Sequence, residues 1–140
     1  MVHVVLVILL TAIAWVIVGS ALFFNPLVDP VYQEMYSHPA KYPQARSVPK
    51  SPGTLALILG INVLKCSCFA AVYLLVQSAL PAAPVSRGVL FGVILVLTRM
   101  IPGDVDRAFL TTYPATPAWI EFGIFTIGSF FIAMSYSYFL

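Results

Sequence analysis

The chain has 140 residues, of which 61% are hydrophobic and only 9% are charged. A soluble domain carries about 25% charged residues, so a soluble fold of this length could not bury so much apolar surface. The formal net charge of +2 is small and dispersed, which excludes a nucleic-acid-binding surface. The composition therefore predicts an integral membrane protein with the lipid bilayer as its solvent.

Four apolar stretches approach the roughly 20 residues that a membrane-spanning helix needs. We predict an all-α bundle of four transmembrane helices, a single domain over residues 1–140, with helices at about 4–24, 52–80, 86–109 and 117–138. The dipeptides Ser51-Pro52 and Thr116-Pro117 predict the starts of the second and fourth helices, because a polar cap before proline is typical of helix N-termini. The third helix is apolar only from Ser86 to Ile101, so we expect it to be short or kinked at Pro102.

The interfacial loop, residues 25–51, contains the segment "DPVYQEMYSH". Asp29 followed by Pro30 is an N-cap pattern, so the segment predicts a short helix at the membrane surface. Its apolar and aromatic residues are expected to face lipid or the bundle: Val31, Tyr32, Met35 and Tyr36.

The distribution of lysine and arginine predicts the orientation of the chain. Loop one (the interfacial loop, residues 25–51) and loop three, which joins the third and fourth predicted helices, carry most of the basic residues, and the opposite side carries only Arg87. Because cytoplasmic loops are enriched in Lys and Arg, we expect loops one and three in the cytoplasm and both termini outside. The basic residues of loops one and three are Lys41, Arg46, Lys50 and Arg107, with Arg99 nearby.

Lys65 lies near the middle of the second predicted span. Its charge is about 20 Å from either end of the helix, too far for a lysine stem to reach an interface. Asn62, Phe69, Tyr73 and Gln77 follow the same helical spacing, so this polar face is expected to turn towards the bundle.

Other charged side chains are expected in the cytoplasmic half of the helix bundle. A kinked third helix keeps its charged residues near the membrane, and Glu121 enters about one turn into the fourth helix. Two interpretations remain open: a structural network of ion pairs, or a polar cavity for an ion, proton or small polar ligand. The candidate ligand- or ion-binding residues are Asn62, Lys65, Arg99, Asp104, Asp106, Arg107 and Glu121.

Gly88 and Gly92 form a GxxxG pattern that predicts close helix packing, within the bundle or between protomers.

Cys66 and Cys68 are two residues apart and point to nearly opposite sides of a helix, so they form neither a disulfide nor a joint metal site. No P-loop, HExxH or haem-attachment motif is present, and we predict no cofactor and no metal.

The segment "AWVIVGSALFFNPLVDPVYQEM" resembles the bacterial membrane family catalogued as domain of unknown function 1761. The likeness rests on a small residue, an aromatic pair and a Pro-Leu turn, and on a tryptophan at the start of the last helix. These residues are Gly19, Phe23, Phe24, Pro26, Leu27 and Trp119. The resemblance implies a four-helix protein of the bacterial cytoplasmic membrane and no particular activity.

Three functional hypotheses follow. The first is a non-enzymatic accessory subunit or binding protein, alone in the bilayer, as a homo-oligomer or in a larger membrane complex. The second is a small transporter or channel with a polar site around Lys65 and Glu121. The third is a membrane enzyme that uses Asp104 and Asp106, which match only the short DxD pattern of some glycosyltransferases.

Overall fold

All the secondary structure that the computed structural model describes is helical, as the apolar sequence predicts. The structure describes residues 2–38, 40–41, 51–100, 103 and 114–140. The helices are α1 (Val2–Phe23), α2 (Asp29–Ser37), α3 (Pro52–Val76), α4 (Pro84–Leu95) and α5 (Ala115–Phe139). A 3₁₀ turn at Gln77–Ala79 extends α3, and a π-helical turn at Val96–Met100 extends α4.

Three of the described helical segments are long and apolar enough to cross a membrane: Val2–Phe23, Pro52–Ala79 and Ala115–Phe139. The third predicted span is different, because its regular α-helix has only 12 residues before the π turn. The predicted kink at Pro102 lies outside the described residues. The described departure from regular helix comes earlier, at Val96–Met100, which forms a π-helical turn.

The helix starts confirm one sequence prediction and correct two. The Ser51 hydroxyl accepts a hydrogen bond from the Thr54 amide at 3.2 Å, so Ser51 caps α3 as predicted. The predicted cap at Thr116 is wrong, because α5 already begins at Ala115, after an extended Pro114. The carbonyl of Pro114 accepts the Ala118 amide at 3.2 Å, which places Thr116 inside the first turn.

The start of α2 is also set differently from the prediction. Asp29 is the first residue of the helix rather than its cap. The Asn25 side chain instead accepts hydrogen bonds from the amides of Leu27 at 2.9 Å and Val28 at 3.1 Å. This Asx-type turn bends the chain directly after α1 and brings α2 back to the end of the bundle.

Helix α5 lies at the centre of the bundle, where it packs most extensively on α4 and also on α1. The GxxxG face of α4 lies against α5: a Cβ at Gly88 would overlap Met134 and Ser137, and one at Gly92 would lie 2.5 Å from the Phe130 ring. The missing side chains therefore let the two helices approach closely, which is how membrane helices associate without a hydrophobic driving force between them.

The α1–α5 contact also places a large side chain over a glycine, and here the large side chain belongs to α1. The Trp15 indole lies over Gly128, and a Cβ at Gly128 would lie 2.5 Å from Trp15 Cη2. The same indole is also 6.4 Å from the Phe131 ring, measured between centroids. At the opposite end of this contact, His3 Nε2 is 2.7 Å from the Phe139 carbonyl oxygen, which joins the start of α1 to the end of α5.

Three aromatic rings form the buried core between α3, α4 and α5. Tyr73 and Phe91 meet edge to face with their centroids 5.1 Å apart, and Tyr136 lies 6.0 Å from Tyr73. The Tyr136 hydroxyl donates to the Cys66 carbonyl at 2.7 Å, which joins α5 to α3. Cys66 is buried and Cys68 exposed, which confirms that the two thiols point to different sides.

The spanning helices differ in how much of their surface the bundle covers. Over an apolar 18-residue stretch of each spanning segment, the share of buried residues is 39% in α5, 28% in α1 and only 11% in α3. The buried positions of α3 are Cys66, Ala70 and Tyr73, which form one narrow stripe. Helix α3 therefore presents most of its circumference to the surroundings of the protein.

Candidate functional site

The clearest buried polar contact joins α2 to α5. The Tyr32 hydroxyl donates a hydrogen bond to Glu121 Oε1 at 3.0 Å, and both residues are only 9% exposed. Tyr32 is positioned by the Asn25 turn, and Glu121 lies in the second turn of α5. The hydrogen bond partly compensates for removing a carboxylate from water, and it fixes α2 against the bundle.

Aromatic rings surround this contact. Phe23, at the end of α1, packs edge to face on both Tyr32 and Phe125, with centroid distances of 5.9 Å in each case. Tyr36 lies one helical turn after Tyr32, with its ring centroid 6.2 Å away. These contacts pack aromatic rings around Tyr32 on the side of the bundle where α1 ends and α5 begins.

Burial raises the pKa of the Tyr36 hydroxyl above its usual value, and the negative charge of Glu121 raises that pKa further. In the unfolded chain Tyr36 loses its proton near pH 10, whereas in the folded protein it stays neutral to higher pH. The contribution of Tyr36 to the free energy of unfolding is therefore expected to be constant below about pH 10 and to decline above it.

This dependence can be measured by unfolding the protein in detergent between pH 8 and pH 11. Tyr36→Phe should make the decline above pH 10 shallower, because the variant has no hydroxyl to ionise at this position. Tyr138→Phe is the matched control, since Tyr138 is 57% exposed. Equal declines in the wild type and in Tyr36→Phe would contradict the prediction.

Arg99 lies in the π turn that follows α4, between two aromatic rings. Its guanidinium carbon is 5.1 Å from the ring centroid of Phe69 and 5.7 Å from that of Phe125. Each contact of this kind is worth about 0.5–2 kcal/mol, depending on how far the cation is removed from water. Arg99 thus connects α3, the π turn and α5 at one level of the bundle.

Lys65 occupies the exposed side of α3, next to the buried Cys66. Its electrostatic neighbours include Arg99, which repels it. No hydrogen bond or ion pair joins Lys65 to any residue in the part of the chain that the structure describes. Among the described contacts, Glu121 accepts a hydrogen bond from Tyr32 inside the protein, whereas Lys65 lies on the exposed side of α3.

The remaining candidate residues are placed as follows. Asn62 donates to the carbonyl of Ile58 at 2.8 Å, so its amide is already engaged within α3. Asp104, Asp106 and Arg107 lie outside the described residues. Gly88 and Gly92 lie in the α4–α5 contact. The structure thus brings Lys65 near Arg99, and it places Glu121 with Tyr32 instead.

One further polar arrangement has a structural explanation. The Ser37 hydroxyl and His38 Nδ1 are 2.9 Å apart, and both also contact the Glu34 carbonyl oxygen. These contacts give a hydrogen-bond partner to an acceptor at the C-terminal end of α2, where carbonyl groups lack partners within the helix. Within the described ranges, no three His, Cys, Asp or Glu side chains converge as metal ligands would.

Sequence reasoning did not identify Tyr32 as the partner of Glu121, nor Phe69 and Phe125 as the partners of Arg99. The paired spacing of Tyr32 and Tyr36 indicates one aromatic face on α2, but it does not indicate which carboxylate that face meets. Tyr32 and Glu121 are 89 positions apart, and no local pattern connects residues at that separation.

No family model, curated protein or solved structure matches this chain. The resemblance to the domain of unknown function 1761 family is therefore neither supported nor contradicted by these comparisons and stays a prediction.

Proposed function

We propose that the protein is a non-enzymatic accessory subunit of the bacterial cytoplasmic membrane, which associates with another membrane protein through the exposed side of α3. In this proposal α1, α3, α4 with its extension, and α5 span the bilayer, and both ends of the chain lie outside. The observation that carries the proposal is Lys65, a charged residue that is exposed halfway along an apolar helix.

A lysine at the centre of a lipid-facing helix costs at least about 2.5 kcal/mol by insertion measurements. Residues of this kind almost always face the interior of a bundle or a water-filled cavity, and they pair with one another or with backbone carbonyls. Because the bundle leaves most of α3 uncovered, contact with a second protein would remove Lys65 from lipid and cover the surrounding apolar side chains, such as Ile61 and Leu64.

The transporter hypothesis needs Lys65 and Glu121 to line one cavity. Lys65 is on the exposed side of α3, and Glu121 is 9% exposed and hydrogen bonded to Tyr32, so this pair does not favour transport. The enzyme hypothesis depends on Asp104 and Asp106, which lie outside the described residues, and no other observation favours it.

The proposal can be tested by extracting the wild-type protein from its native membranes in a mild detergent and measuring its mass in nanodiscs. We expect a stoichiometric complex much larger than the 15.3 kDa chain. A lone chain under several mild detergents would contradict the accessory role.

A matched pair of variants locates the contact. Leu64 on α3 is 65% exposed, and Leu10 on α1 is 58% exposed. Leu64→Trp should block the association because the larger ring projects from the proposed surface, whereas Leu10→Trp should leave the complex intact. Both side chains are exposed, so neither substitution should prevent folding. Equal effects of the two variants would argue against α3 as the contact surface.

A further inference from the structure

We infer that the end of the bundle where α1 ends and α5 begins lies at the boundary between the lipid headgroups and the hydrocarbon core. Three exposed side chains make this contact with lipid, and we call them the interface anchor: Phe24, Leu27 and Trp119. In this position α2 lies among the headgroups. The inference concerns lipid rather than a protein partner, and it does not depend on the accessory role proposed above.

The three anchor side chains are exposed although they are large and apolar. Their exposed fractions are 66% for Phe24, 85% for Leu27 and 56% for Trp119. The Phe24 amide donates to the Ser20 carbonyl at 2.9 Å, so Phe24 continues the path of α1, and Leu27 lies in the Asn25 turn. Exposed apolar side chains grouped in this way mark a surface that contacts a membrane or another protein.

Contacts between the helices place the anchor at one level of the bundle. Phe23, at the end of α1, packs on Tyr32 with the ring centroids 5.9 Å apart, and Tyr32 donates to Glu121 of α5 at 3.0 Å. Phe24 directly follows Phe23, and Trp119 is two residues before Glu121. The end of α1 and the start of α5 are therefore level to within about one helical turn.

The distance from this level to the other end of the bundle matches the thickness of a bilayer core. On α5, the exposed Tyr138 lies 19 residues after Trp119, which is about 28 Å at 1.5 Å per residue. On α1, Phe24 lies 21 residues after His3, which is about 31 Å, and His3 meets Phe139 at the opposite end. The hydrocarbon core is about 30 Å thick, so both helices cross it from one boundary to the other.

The surface changes from apolar to polar at the anchor. Helix α1 contains no Asp, Glu, Lys or Arg. Its exposed side chains include Leu6, Leu9, Leu10, Ile13 and Ile17. After Pro30, the exposed residues of α2 are all polar: Gln33, Glu34 and Ser37. Aromatic side chains are enriched at such a transition, because the headgroup level is apolar on one side and wet on the other.

Lipid explains the anchor better than a second protein does. The Trp119 indole combines apolar faces with an N–H donor, which suits the headgroup level. The opposite end of α5 has exposed aromatic side chains too, Tyr138 and Phe139. A lipid boundary acts at both ends of a spanning helix, whereas a protein bound at one end would not account for the other.

The inference can be tested by fluorescence quenching with brominated lipid. The chain has two tryptophans, and Trp15 is only 7% exposed, so the difference between the wild type and Trp119→Phe isolates the signal of Trp119. The full-length protein is reconstituted in phosphatidylcholine vesicles that carry bromine either near the headgroup or near the middle of the bilayer. We expect the shallow bromines to quench Trp119 at least about twofold more strongly than the deep ones.

Two results would overturn the inference. The first is quenching of Trp119 by the deep bromines that equals or exceeds quenching by the shallow ones. The second is the absence of quenching by either lipid, because protein or water would then surround the ring.

A tryptophan placed in the turn tests the other part of the anchor. In the Trp119→Phe background, Leu27→Trp puts the reporter in the Asn25 turn, and Ile13→Trp is the matched control, since Ile13 is exposed midway between His3 and Phe24. Both replaced side chains are exposed, so both variants should fold. We expect shallow bromines to quench Leu27→Trp more strongly and deep bromines to quench Ile13→Trp more strongly. The same depth profile in both variants, or no quenching of Leu27→Trp, would show that the turn does not lie at the lipid boundary.

Discussion

Tyr32→Phe is expected to lower the free energy of unfolding by about 1.5–3 kcal/mol, the range for a hydrogen bond to a charged group. The substitution keeps the aromatic ring and its edge-to-face contact with Phe23, and it removes only the hydroxyl that donates to Glu121. Because Glu121 is 9% exposed, water replaces that donor poorly. The change can be measured by chemical unfolding of the full-length protein in detergent.

The matched control for this substitution is Tyr138→Phe, which removes the same atom from a tyrosine that is 57% exposed. Its free energy of unfolding should change by no more than about 0.5 kcal/mol, as for surface substitutions generally. If Tyr32→Phe proved as mild as Tyr138→Phe, the hydrogen bond between α2 and α5 would not contribute to the stability of the fold.

Gly128→Ala is expected to destabilise the protein by about 1–3 kcal/mol, the usual cost of overpacking a filled interior. The added methyl group would overlap the indole of Trp15, which is only 7% exposed and packs on Phe131. The ring has little room to move, so α1 and α5 would have to separate. Thermal unfolding in detergent measures the effect.

Gly123→Ala, on the same helix, is expected to stabilise the protein rather than destabilise it. A Cβ at Gly123 would meet no atom within 4 Å, so the substitution adds no overlap. Alanine favours the helix over glycine by about 0.5–1 kcal/mol, and the variant should be slightly more stable than the wild type. Destabilisation of the same size in both variants would show that the contact with Trp15 is not the cause.

The two polar regions have different roles in this account. Glu121 is buried and accepts a hydrogen bond from Tyr32 of α2, so this contact is expected to stabilise the fold. Lys65 contributes no described bond to the fold and lies on the least covered helix. Experiments on function are therefore best directed at the exposed side of α3, and experiments on stability at the contact of α2 with α5.

Local sequence patterns predicted the start of a helix correctly where the interaction that fixes it joins residues a few positions apart. The Ser51 cap and the start of α3 are correct, because a hydroxyl and the amide three residues later interact within one turn. The cap at Thr116 was wrong because Pro114, two residues earlier, already adopts the extended conformation that precedes a helix. Asn25 was missed because its hydrogen bonds form a turn between helices rather than a helix cap.

The amino-acid sequence by itself predicted a helical protein with four spans. The described residues are helical in their secondary structure, and three of the predicted spans are helices long and apolar enough to cross a membrane, because length and hydropathy decide both properties locally. The sequence did not determine which side of each helix is buried. Helices α1, α3 and α5 are apolar nearly all round, so no hydrophobic stripe marks the inner face. In lipid the buried face is chosen by steric fit, such as Trp15 over Gly128 and Phe130 over Gly92. Only the tertiary structure therefore decided that Glu121 meets Tyr32 and that Lys65 faces outwards.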